Sequence, residues 1–200
     1  MPEHSSIHPY LNWTKERLDE MDATLASLEG KASQVKADPK AEADKMIGDL
    51  KKRRDEFLDK VKAQAQAGEA ALQATKPQLE SQWQAFEVQV KTYFDTVGKQ
   101  IELQQATFRD VATAQVKAWR YAADQVHNAA TKVAAEKRAN LDTAVKQMKA
   151  DAVEAEERLQ KLKQAGKESW AALSAALAES RKAFDRANQK ASDELKRAIT

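Results

Sequence analysis

The chain has 200 residues, of which 42% are hydrophobic, only 6% aromatic and 32% charged. Its 33 basic and 31 acidic side chains nearly cancel, which argues against the strongly basic footprint of a dedicated nucleic-acid binder. The absence of cysteine excludes disulfides and thiolate metal centres, and five Gly and four Pro are too few for the many loops of a compact mixed fold.

In chain order, residues 1–7 are expected to form a disordered N-terminus. They lack the cationic start and apolar run of a signal peptide. No apolar stretch approaches the ~20 residues that cross a bilayer, so the expected location is cytoplasmic. From residue 8 onward Ala, Glu, Lys, Gln, Arg and Leu dominate, the composition of long helices. Asp38-Pro39 reads as a helix N-cap followed by Pro at the first helical position, and so as a joint between helices. Gln66-Ala67-Gly68 and Gln164-Ala165-Gly166 each close on a glycine, which makes Gly68 and Gly166 the expected hairpin turns. Pro77, with Thr75 two residues upstream, is placed to delay or kink the returning helix.

The two Gln-Ala-Gly triplets also belong to an internal repeat. At an offset of 98 residues Leu79 lies over Leu177, Ala85-Phe86 lies over Ala183-Phe184, and residues 32–41 lie over 130–139. This predicts a tandem duplication, with repeats over 8–98 and 99–198. Glu136-Lys137, the counterpart of Asp38-Pro39, requires no break. A second regularity is an eleven-residue recurrence of apolar residues: Leu50, Val61, Leu72, Trp83 and Phe94, and then Met148, Leu159 and Trp170. Eleven residues over three turns is close to the unstrained helical period.

Reversal of the chain at the two glycines matches apolar residues to each other. About Gly68, Leu28 meets Phe108, Val35 meets Ile101, Met46 meets Val90, Leu50 meets Phe86 and Phe57 meets Leu79. About Gly166, Met148 meets Phe184, Leu159 meets Leu173, and Leu177 falls opposite Ala155. These are the predicted helix-pairing residues, each buried pair contributing a few kcal/mol. Gly98 falls opposite the Pro39 joint, so Pro39 and Gly98 form a predicted hinge. The expected fold class is therefore all-α, with elongated antiparallel coiled-coil hairpins whose central helix spans about 69–165, ~145 Å if unbroken. The alternative breaks the chain at 38, 68 and 98 into spectrin-like bundles of ~30-residue helices.

Catalytic chemistry lacks its parts. His4, His8 and His127 are the only histidines, and Asp124-Gln125-Val126-His127 is a single carboxylate-x-x-His sequence without the second copy that a di-iron bundle needs. No phosphate-binding glycine loop, nucleophile elbow or metal-spaced histidine pair is present. No cofactor, metal or catalytic residue is expected, and the chain reads as non-enzymatic. Lys51-Lys52-Arg53-Arg54 could touch phosphate, but Asp55, Glu56 and Asp59 follow at once and no aromatic platform adjoins it, so a solvated helix face is favoured. Trp13, Trp83, Trp119 and Trp170 are either partner contacts or filler of the helix seams.

Over residues 10–196 the composition and the eleven-residue amphipathic period resemble the exchangeable apolipoproteins of the A/E type. They resemble also the loosely defined bacterial coiled-coil proteins grouped with them. That resemblance implies helices that pair in water and open onto lipid or a polyester granule, as in phasin-like coats. Two functions follow as expectations. The first is a structural or scaffolding protein that self-assembles or spaces other helical proteins. The second is an amphipathic coat on a membrane, lipid or granule surface. The many Ala at apolar positions favour the first, because they offer little area to drive insertion.

Overall fold

The computed structural model describes residues 9–35, 37–96, 101–164 and 167–199, and the protein is all-α. Among the described residues six helices follow one another: α1 (Pro9–Lys31), α2 (Ala37–Ala67), α3 (Glu69–Thr96), α4 (Ile101–Ala130), α5 (Ala135–Gln164) and α6 (Lys167–Ile199). A single 3-10 turn, Ala32–Gln34, follows α1, and no strand occurs among the described residues.

The breaks have local causes. α2 begins at Ala37, so Asp38 is not its cap but lies in the first turn, where its carboxylate meets the positive end of the helix dipole. Pro39 is the third helical residue, and its missing N–H costs nothing because the first four N–H groups have no acceptor within the helix. At the far end, Gly68 takes φ +101°, a left-handed conformation that glycine adopts without strain. Gly68 N–H still donates to Gln64 O (3.2 Å) and its own carbonyl already accepts from Leu72 N–H (3.1 Å), so one residue separates two helices. Pro77 lies inside α3, which continues to Thr96, while the Thr75 hydroxyl donates back to Ala71 O at 2.7 Å. Gly98, Gly166 and residues 1–7 lie outside the described residues.

The unbroken helix over 69–165 is not observed: α3, α4 and α5 occupy it in turn. The break at Thr131–Ala134 contains neither Gly nor Pro. The β-branched Thr131 and Val133 are weak helix formers, and the Thr131 hydroxyl donates to Asn128 O at 2.8 Å, a local alternative to the helical ladder. Lys132 N–H and Val133 N–H then close three-residue turns onto Ala129 O and Ala130 O. The helix lengths are thus those of the bundle alternative. Ala37 and Glu69, the first residues of α2 and α3, lie ninety-eight residues before Ala135 and Lys167, the first residues of α5 and α6.

Burial follows a shorter period than eleven. In α2 the buried apolar positions are Ala43, Ile47, Leu50, Phe57 and Val61; in α5, Leu141, Val145, Met148, Ala152, Ala155, Leu159 and Leu162 continue the same alternating spacing of four and three. A mean of 3.5 residues per turn keeps one stripe facing its neighbours. The run Leu50–Val61–Leu72–Trp83 is buried, but it passes through the Gly68 turn and so is not one continuous face.

Two compact units result, and their boundaries fall at 16/17 and 111/112, inside α1 and α4. The first comprises Arg17–Val111. Here α2 and α3 pack against each other along their length, and Asp22 and Glu29 of α1 bond Arg54 and Lys51 of α2. The second comprises Ala112–Thr200 with Met1–Glu16. In it α5 packs along α6, Lys149 of α5 lies 3.6 Å from Asp124 of α4, and Trp119 of α4 stacks on Phe184 of α6.

Candidate functional site

Many of the predicted pairing residues are buried within these units. In the first, Leu28, Val35, Leu50, Phe57, Leu79 and Phe86 are buried, whereas Met46, Val90 and Phe108 are half-buried. Trp83 is also buried, its ring 6.0 Å from that of Phe86 and capped by the Arg17 guanidinium at 5.2 Å. Arg17 itself is buried and bonds the equally buried Glu20 at 3.0 Å. In the second unit Met148, Leu159, Leu177 and Phe184 are buried, and the Trp119 and Phe184 rings stack at 5.0 Å with an interplanar angle of 9°. Alanines fill much of the remainder: Ala144, Ala152, Ala155, Ala187 and Ala191 are all buried, which allows close approach of the helices. The side chains of Ile101, Leu173 and Trp170 lie outside the described residues.

A polar seam that the apolar period does not reveal joins α1 to α4 in the first unit. Ser27 donates to Asp110 at 2.7 Å and lies 3.3 Å from the Thr107 hydroxyl. Lys31 donates to both Ser27 (2.6 Å) and Asp110 (2.9 Å). Burial pushes the Asp110 carboxyl up, but the hydrogen bonds from Lys31 and Ser27 and the Lys31 charge outweigh it and hold the group below its ordinary value. The signal available in the sequence was the helical spacing of Glu20, Thr24, Ser27 and Lys31. On α3, Tyr93 is buried and its hydroxyl has no hydrogen-bond partner among the described residues. Burial, and then the nearby Asp44 charge, push its phenol above the ordinary value.

Three of the four residues of the basic run on α2 are engaged within the molecule. Lys51 pairs with Glu29, Arg53 donates to Gln89, and Arg54 bonds Asp22 at 2.6 Å and Asp55 at 2.9 Å. These acids hold the Arg54 guanidinium still more firmly in its charged form. His127 is exposed in the last turn of α4. Among the described residues no three His, Asp or Glu side chains are grouped to hold a metal ion, and no helix is long and apolar enough to cross a membrane.

No protein-family model, curated protein or solved structure matches this chain. One open groove in the first unit, of about 500 Å³, lies between α2 and α3, with Met46 and Ala85 among its lining and Val88 on its rim. A smaller one, about 270 Å³, lies between α4 and α5 in the second unit, bordered by Arg120, Asp124, Lys149 and Val153.

Proposed function

We propose that the chain is a non-enzymatic structural protein: a helical scaffold that self-assembles or spaces partner proteins. One observation carries this reading, namely the inward engagement of the large apolar side chains within each unit. Among the described large hydrophobic residues only Val88, Tyr121 and Val153 are substantially exposed, at 64%, 48% and 49%. The remaining surface carries both signs of charge, much of it in pairs such as Arg138–Asp142 and Lys182–Glu179. Such a surface suits reversible, polar-rimmed protein contacts. The recurrence of helix starts at ninety-eight residues supports the descent of both halves from one ancestral set of helices.

The amphipathic-coat alternative requires the bundles to open, exchanging seams filled by Phe57, Phe86, Trp119 and Phe184 for lipid contact. Flotation with anionic vesicles, combined with far-ultraviolet circular dichroism, separates the two. The scaffold reading predicts full helicity in buffer and a protein that stays at the bottom of the gradient. Co-flotation with a blue shift of tryptophan emission would overturn it.

A further inference from the structure

The groove between α2 and α3 carries a row of charges that its own molecule leaves unmatched. Glu42, Lys45, Asp49 and Arg53 follow one another along the α2 wall, alternating in sign over three helical turns. Arg53 donates to Gln89 across the groove. Among the described residues, Glu42, Lys45 and Asp49 enter no ion pair. The flank of α2 that faces α1 differs: there Lys51 and Arg54 are matched by Glu29 and Asp22. Val88 stands at the rim, 64% exposed, and Met46 is half-buried between the two walls.

We propose that this groove is a two-fold self-association surface, occupied by the same α2–α3 face of a second copy of this chain. With the two-fold axis perpendicular to the helices, this isologous contact runs the second α2 antiparallel to the first. Reversal turns the sequence minus, plus, minus, plus into its opposite at every position. Glu42 then faces Arg53 of the second copy and Lys45 faces Asp49, and the symmetry makes each contact twice. Glu42 and Arg53 are eleven residues apart, so they project at nearly the same azimuth, about 16 Å apart along the helix. Both can therefore meet one straight partner helix. Met46 and Val88 provide the apolar contact between the charged rows. A lipid surface would bury the same four charges without partners, which disfavours it at this face. The proposal rests on the self-assembling part of the function proposed above.

The test is the solution mass of the full chain by sedimentation, across concentrations up to high micromolar. The variants are Glu42→Arg, Arg53→Glu, the double exchange, and a mixture of the two single variants. Both sites are exposed, so helicity should not change. The parent should reach twice its 22.3 kDa, with each single variant dissociating about tenfold more readily because two attractive contacts become repulsive. The double exchange restores opposite charges and should restore the dimer. The mixture should do so as well, since each variant supplies the sign that the other lacks. Val88→Lys should weaken the dimer in every background. A dimer indifferent to both single variants would overturn this groove while leaving self-assembly through another face intact. A parent monomeric throughout would overturn the groove and self-assembly together, leaving only the spacing of other proteins. Vesicle flotation abolished by Val88→Lys would overturn it in favour of lipid.

Discussion

Replacement of Phe184 by Ala probes the second unit where its helices meet. Phe184 is fully buried, and its ring lies 5.0 Å from that of Trp119 in a nearly parallel stack. Removing the ring forfeits its transfer free energy and leaves a cavity against Trp119, a loss of about 3–5 kcal/mol for a Phe-to-Ala change in a packed core. For a chain of this length each kcal/mol lowers the melting temperature by about 2–4 °C, so a fall of roughly 10 °C is expected by circular dichroism. Trp119→Ala should cost a similar amount, and the double variant less than the sum, because the two rings share one contact. Phe184→Asp should be worse than Phe184→Ala, since it adds an unpaired carboxylate to the vacated site. Val153→Ala, at a half-exposed position, should change stability by less than about 0.5 kcal/mol. If Phe184→Ala melts within a degree or two of the parent, α4 and α6 do not meet as described.

Two glycines should respond in opposite directions to Ala in thermal melts. Gly48 lies inside α2 with nothing within 4 Å of a new Cβ, so Gly48→Ala should stabilise by about 0.5–1 kcal/mol, whereas Gly68→Ala, equally free of clashes, should destabilise by about 1 kcal/mol through its left-handed φ. Tyr93→Phe removes a buried hydroxyl without a partner and should be neutral or stabilising by up to about 1 kcal/mol. The raised phenol of Tyr93 stabilises the fold fully below its ordinary value of 10.0 and loses that contribution as the pH rises through the folded value, so alkaline melting should become less pH-sensitive in Tyr93→Phe. The depressed Asp110 carboxyl works in the opposite sense. Its contribution is present above the ordinary value of 3.8 and lost as the pH falls through the folded one, so Asp110→Asn should blunt the onset of acid unfolding, by less than about 1 kcal/mol at this half-exposed site.

Helix content and the turn at Gly68 were legible in the sequence because each has a local physical cause: Ala-, Glu- and Lys-rich composition in one case, the permissive backbone of glycine in the other. The break at Thr131–Ala134 was not, because no Gly or Pro marks it; two β-branched residues and one Thr hydroxyl suffice. In α2 and α5 the eleven-residue recurrence coincides with a shorter one. A spacing of four, three and four also sums to eleven, so a seven-residue pattern generates such coincidences, even across the Gly68 turn. Individual long-range contacts were less legible. Pairing Lys51 with Glu29 and Arg54 with Asp22 depends on α1 lying beside α2, which follows only once the chain reverses between Lys31 and Ala37. The Trp119–Phe184 stack likewise requires α4 and α6 to be neighbours, a relation between helices separated by the whole of α5.

The central claim is that the chain doubles back repeatedly, so that its apolar faces are engaged within its own helices. The absence of cysteine allows a direct distance measurement, with spin labels on cysteines introduced at Arg120 and Glu156. These residues form an ion pair between α4 and α5, although 36 residues separate them. The account predicts a separation below about 25 Å between the labels, unchanged by anionic vesicles. A continuous helix would place them about 54 Å apart at 1.5 Å per residue. Such a distance, in buffer or appearing on addition of lipid, would contradict the account.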